Sequence, residues 1–206
     1  MVLALAVPAR ATEVFDCFDC VLGLWDDLGM TKTYGRVSPG ETKEIYLGIH
    51  YGSGYTGLTG IEFSVAGIRP TDGFVVVGVD GVDPEFFRIG NTILAPVDTS
   101  ATSVGTGGLN FAWSHCLAGD QPLVRITLLC TAQVENQVIE VKRKYPTSNR
   151  AWRTPILTLC DDPYFHAVRL TAGCYVMNWN GDPIPCLDIP VGTAPSTWTG
   201  VKALFR

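Results

Sequence analysis

The sequence predicts an all-β protein: an antiparallel, jelly-roll-like β-sandwich with a short helix at its C-terminus. Three observations predict it. Segments with apolar residues at every second position recur along the chain, the mark of half-buried strands. Glycine (22) and proline (13) supply the turns that many short strands need. Ala, Leu, Glu and Lys are too thinly spread for long helices before the C-terminal segment. With 47% hydrophobic and 17% charged residues in 206, the chain can bury one full core, and a sandwich of this size is commonly a single domain.

Residues 1–11, MVLALAVPARA, form a short apolar run ending in Ala9-Arg10-Ala11, the small-x-small form of a signal-peptidase site. The expected organisation is a signal-peptide remnant over 1–11 and one sandwich over 12–206, its C-terminal third stapled by disulfides. A first strand covers Val21–Trp25 and ends at the pair Asp26-Asp27. The organising stretch is Val37–Val65. Ile45, Leu47, Ile49 and Tyr51 alternate there with Glu44, Tyr46, Gly48 and His50, and after a glycine-rich connection Ile61, Phe63 and Val65 alternate with Glu62 and Ser64. Both halves read as half-buried strands.

Phe74–Val79 is a continuous β-branched run, predicted to be a strand buried on both faces, which GVDP (81–84) then breaks. Residues 90–108 read as an edge strand at Thr92–Ala95 within an exposed loop. Strands follow from Leu109, through Val124–Cys130, and at Val138–Val141 after the polar turn QVEN, as an antiparallel set. Three more are predicted at Ile156–Cys160, Ala167–Leu170 and Cys174–Asn178. The helix falls at the end: Ser196 or Thr197 caps it, and Trp198, Val201, Leu204 and Phe205 share a face.

Seven cysteines point to an oxidising, extracellular or periplasmic compartment. Equal spacings suggest two local disulfides, Cys116 with Cys130 and Cys160 with Cys174; one of Cys17 and Cys20 would then join Cys186. The alternative for Cys17-Phe18-Asp19-Cys20, a metal knuckle or redox pair, lacks its second half. His50, His115 and His166 are dispersed, and no DxDxDG loop offers a calcium site, so neither metal nor cofactor is expected. The net charge of −5 argues against a nucleic-acid surface; the only basic run, Lys142–Lys144, suits a solvated strand end. No stretch reaches the ~20 apolar residues of a membrane span. The oligomeric state is not legible.

No nucleophile elbow, HExxH, P-loop or dinucleotide fingerprint occurs. Ser114 and His115 are neighbours on a strand and point to opposite faces. A glycan hydrolase would need two carboxylates about 5–10 Å apart across a cleft, from Asp26, Asp27, Glu62, Asp161 and Asp162.

The runs SPGETKEIYLGIHY (38–51), LTGIEFSVAG (58–67), GGLNFAW (107–113) and PLVRITLL (122–129) resemble the strand pattern of cohesin-like modules, which stand with carbohydrate-binding-like sandwich folds. The resemblance covers roughly Val37–Val141. The chain as a whole is similar to secreted bacterial proteins of uncharacterised activity that share the LGLWDD-type strand and a terminal TW-x-x-[VI]-K-x-L-[YF]-R, here Thr197–Arg206. The cysteines and the extra C-terminal third depart from cohesins, so dockerin binding is not implied. The resemblance implies a secreted, non-enzymatic binding or structural module recognising a glycan or a cell-surface protein; an extracellular glycan hydrolase with an acidic pair is the alternative. Tyr46 and His50, beside Glu44 and Glu62 on the polar strand faces, with Tyr51 and Tyr55 at the glycine-rich connection, form the expected ligand surface.

Overall fold

A computed structural model describes residues 15–51, 57–95, 107–145, 155–160 and 167–181. Twelve strands lie within them: β1 Phe15–Trp25, β2 Tyr34–Gly35, β3 Thr42–His50, β4 Gly57–Ala66, β5 Phe74–Gly81, β6 Phe86–Thr92, β7 Gly108–Ala118, β8 Gln121–Cys130, β9 Gln137–Lys142, β10 Ile156–Leu159, β11 Ala167–Ala172 and β12 Cys174–Met177. Hydrogen bonding runs β5-β8-β3-β1-β11-β10-β4, and β4 leads on to β9-β12-β2 and to β7-β6. All pairings are antiparallel except β1 with β11 and β12 with β2. The protein is all-β, and its only helical turn among the described residues is a 3-10 turn at Pro70–Asp72. The expected helix at 196–206 lies outside them.

Alternation builds the core. Leu22 and Leu24 of β1, Ile45, Leu47 and Ile49 of β3, and Val124, Ile126 and Leu128 of β8 are buried in one cluster with Phe63, Phe111, Ile139 and Tyr175. Strands adjacent in sequence seldom pair. β3 and β4 are separated by β1, β11 and β10, and β7 and β8 bond to different partners. The strands β7, β8 and β9, expected as one antiparallel set, do not pair with one another: β7 bonds to β4 and β6, β8 to β3 and β5, and β9 to β4 and β12.

Four expectations about burial and bonding are corrected. β5 is an edge strand and is not buried on both faces; Val75 and Val77 reach 36% and 54% exposure. A run of valines satisfies an edge as well as a centre, and periodicity alone cannot separate the two. β4 is not half-buried, since Glu62 is 5% exposed and Ser64 wholly buried. The chain leaving β9 crosses its outer face: Ser64 Oγ donates to Arg143 O at 2.6 Å, and Lys144 Nζ lies 3.9 Å from the Glu62 carboxylate. An unpredicted strand, β6, occupies 86–92 and takes in Thr92 of the edge strand expected at Thr92–Ala95; beyond it Ile93 and Ala95 are buried, held to Val65 through Val65 N to Ile93 O and Ala95 N to Val65 O, both 2.8 Å.

The fourth correction is the disulfide pattern. Cys116 bonds Cys160, at a sequence separation of 44 and a Cα–Cα distance of 5.6 Å, so neither Cys116–Cys130 nor Cys160–Cys174 forms. Cys130 is a buried free thiol, and Cys174, like Cys20, is disulfide-bonded. Topology explains the exchange. β7 and β10 flank the start of β4, with Leu117 and Leu159 both opposite Leu58, which brings the two sulfurs together over Gly57. A Cβ there would lie 2.6 Å from Cys116 Sγ. Cys130 closes the far end of β8, about 30 Å of strand away at ~3.3 Å per residue. The side chain of Cys17 and all of Cys186 lie outside the described residues.

Candidate functional site

Of the residues expected to bind a ligand, His50 and Tyr51 meet at Asp120, while Tyr46 bonds to a different carboxylate. Tyr46 projects from the outer face of β3 and donates its hydroxyl to Glu44 Oε2 at 2.8 Å; partial burial and then this carboxylate raise its pKa. His50, on the same face, places Nδ1 2.8 Å from Asp120 Oδ2 and meets the Trp25 ring edge-on at 5.2 Å. Tyr51 turns inward: its amide donates to Asp120 Oδ1 at 2.7 Å, its hydroxyl to Leu117 O at 3.2 Å, and burial pushes its pKa well up. Tyr55 lies outside the described residues. Between Tyr46 and His50 the strand has Gly48, and a Cβ there would meet Met30 Sδ at 2.3 Å, just as one at Gly23 would meet the Trp25 ring at 2.7 Å. Two glycines thus let the chain's own Trp25 and Met30, both buried, cover the part of the face next to the tyrosine.

The carboxylates considered for hydrolysis are tied into structure. Asp26 Oδ1 accepts from Tyr175 and pairs with Lys43, and Asp27 caps the turn to Thr31. Glu62 is buried beside Lys144. Asp161 and Asp162 lie outside the described residues. No three metal-ligating side chains come together among the described residues.

A different surface stands open on β6 and β7. Alternation along β6 turns Phe86 inward, where it stacks on Phe111 at 5.5 Å, and leaves Phe87 and Ile89 outward at 76% and 63% exposure. Phe87 lies opposite Ala112 and Ile89 opposite Asn110 on β7. Beneath them Phe63, Phe111 and Trp113 stack at 6.1 Å spacings, so the two exposed side chains stand on a stiff aromatic layer. At one end a polar rim follows: Ser114 Oγ donates to Glu85 Oε2 at 3.3 Å, and His115 lies 3.2 Å from Asp83 and 3.5 Å from the same Glu85 oxygen, so these neighbours, expected on opposite faces, meet at one carboxylate. Asn110 Oδ1 is buried with no hydrogen-bond partner. Sequence reasoning missed this surface because the adjacent Phe86-Phe87 disguises the period; the signal was Phe87-Arg88-Ile89-Gly90, apolar and polar in turn after an Asp-Pro turn.

No family model and no curated protein matches the sequence. Solved structures do. A cohesin module from a family 33 glycoside hydrolase of Clostridium perfringens ATCC13124 is 15% identical, with 77% of this chain and 98% of that one covered and a TM-score of 0.48. The sixth cohesin of Acetivibrio cellulolyticus scaffoldin B, solved with a mutant Cel5 dockerin, is 13% identical over 78% and 98% at 0.45. The seventh ScaB type I cohesin from Pseudobacteroides cellulosolvens is 9% identical over 81% and 95% at 0.46. The structure is thus similar, at low identity, to cohesin modules.

Proposed function

We propose that the chain is a secreted, non-enzymatic binding module whose protein-docking face is the outer side of β6 and β7. The observation that carries this reading is the exposed pair Phe87 and Ile89 on a stacked aromatic support. Two large apolar side chains held outward on a rigid sheet, with a rim of Ser114, Glu85 and His115, have the layout of a small interface: an apolar centre and a polar edge. The partner in this reading is a cell-surface or secreted protein that buries the two side chains, each contributing roughly 1.5–3 kcal/mol. The disulfide Cys116–Cys160 and the bonded Cys20 and Cys174 support an oxidising compartment.

The test is a binding screen of the mature protein against arrayed cell-surface proteins, repeated with Phe87→Ser/Ile89→Ser. Loss of at least tenfold in affinity with an unchanged melt supports the reading. A partner bound equally by the double variant places the docking face elsewhere.

A further inference from the structure

We infer that the end of the sandwich carries a second, independent site, a cleft that takes a neutral sugar. Three segments converge there: 35–41 after β2, 133–136 before β9, and 178–180 after β12. They enclose a cleft of ≈ 540 Å³ lined by Arg36, Glu41, Gln133, Glu135, Trp179 and Asn180, among others. That volume is of the size that holds a small ligand, within about 300–1,000 Å³.

The cleft is built rigidly around Asn178. This residue takes a left-handed φ of 55°, and its side chain reproduces a backbone: Oδ1 accepts from Val37 N at 2.8 Å, while Nδ2 donates to Val37 O and Val134 O, both at 3.0 Å. Its own amide donates to Gly35 O at 2.8 Å. One side chain thereby joins all three segments. A second tie follows, in which Asn180 N donates to Asn136 Oδ1 at 3.0 Å and Asn180 Nδ2 to Glu135 Oε1 at 3.1 Å. Walls fixed before binding reduce the ordering that a ligand must impose.

The chemistry on those walls selects the ligand. Trp179 lines the cleft and packs against Tyr34 at 4.9 Å, with Tyr34 41% exposed. The indole of Trp179, steadied from behind the lining by Tyr34, offers an apolar surface to the C–H side of a sugar ring. Around it stand an exposed guanidinium, Arg36, that enters no salt bridge among the described residues, and two carboxylates, Glu41 and Glu135. A hydroxyl both donates and accepts, so vicinal hydroxyls satisfy a carboxylate and a guanidinium together. Glu41 Oε2 accepts from Ser38 N at 3.0 Å and Glu135 Oε1 from Asn180, which leaves the second oxygen of each for a ligand hydroxyl; a free anion would meet two carboxylates for one arginine, and an apolar peptide would cover the Arg36 guanidinium without pairing it. Neutral saccharides fit both the charge and the indole.

The cleft is assayed by isothermal titration and saturation-transfer NMR, using neutral gluco-, xylo-, galacto- and manno-oligosaccharides, with uronic-acid oligosaccharides and a random peptide pool as separate arms. At least one neutral saccharide binds the full chain one to one, Arg36→Ala and Glu135→Gln each weaken it at least tenfold at an unchanged melting temperature, and Trp179→Ala does likewise. Phe87→Ser leaves the binding intact, which separates this cleft from the docking face. The inference is overturned if no neutral saccharide binds, if only the acidic sugars or peptides do, or if both Arg36→Ala and Glu135→Gln bind as the parent does.

Discussion

The Tyr175 hydroxyl donates to Asp26 Oδ1 at 2.6 Å across 149 residues of sequence, and Lys43 Nζ approaches the same oxygen at 2.6 Å. This bond ties β12 to the end of β1 and passes over Gly35, where a Cβ would lie 2.0 Å from the hydroxyl and 2.2 Å from Asp26 Oδ1. Glycine at 35 is therefore required by the bond. Burial first, and then the Asp26 carboxylate, hold the phenol neutral and push its pKa far above the usual value of 10. A pKa raised in the folded state gives stability that is complete below the unfolded pKa and is lost as pH climbs above it. Stability should thus be flat from neutral pH to about 10 and fall beyond it. Chemical denaturation at stepped pH measures this. Tyr175→Phe should lower stability at pH 7 by roughly 1.5–3 kcal/mol, the range for a hydrogen bond to a charged group, and flatten the alkaline decline. A decline as steep as the parent's would assign the alkaline loss to another group.

Gly35→Ala tests the same corner without touching either partner. The added methyl cannot coexist with the bond as it stands, so the variant should unfold earlier than the parent. In Tyr175→Phe, where the hydroxyl is gone, alanine at 35 should cost less. A double-mutant cycle by thermal melts reads the coupling directly, and additive losses would separate the glycine from the bond.

The Cys116–Cys160 bridge closes a loop of 44 residues, which in the chain-entropy model is worth about 4 kcal/mol. Reduction, or Cys116→Ser with Cys160→Ser, should lower the melting temperature by many degrees, whereas Cys130→Ala should move it only by the cost of one small buried group. Non-reducing peptide mapping checks the pairing itself; a Cys116 peptide linked to Cys130 would contradict it.

How far this was legible is decided by locality. Ile45, Leu47 and Ile49 announced β3, and Leu109, Phe111 and Trp113 announced β7, because alternation is written in each strand's own residues. Which strand lies beside which is written nowhere in a single strand. Equal spacings of fourteen suggested local cysteine pairs, yet Cys116 finds Cys160 only because β7 and β10 both lie along β4. The same limit applies to the sites. Tyr46 and His50 do share an outer face, but Met30, from a loop that sequence could not place, fills the gap over Gly48. Asn178 joins Val37 and Val134 over 141 and 44 residues, and no short-range pattern reveals such a junction.

Neighbouring phenylalanines on β6 separate core from surface. Phe86 is partly buried and stacks on Phe111, so Phe86→Ser should cost roughly 1.5–3 kcal/mol, the range for burying a large apolar side chain. Phe87 is 76% exposed, and Phe87→Ser should fall within about 0.5 kcal/mol of the parent. Urea titrations of the two variants decide it. Equal losses would mean that Phe87 is covered in solution, by another molecule or by the chain itself.

Asn178 offers the sharpest test of the end of the sandwich. Its side chain makes three hydrogen bonds to backbone groups of two other segments, and its backbone holds a left-handed φ of 55°, a region that asparagine and glycine tolerate better than other residues. Asn178→Ala loses all three bonds and meets the conformational penalty, so it should destabilise by about 2–4 kcal/mol, given ~1 kcal/mol per bond. Asn178→Gly keeps the backbone easy and loses only the bonds, and should be the milder change. Asn178→Asp retains the acceptor for Val37 N but has no donors for the two carbonyls, which then face a carboxylate; it should be at least as damaging as glycine. Thermal melts rank the three, and amide exchange at Val37 reports whether its hydrogen bond survives. If alanine and glycine prove equal, the left-handed backbone contributes nothing at this position, and the hydrogen bonds alone hold the corner.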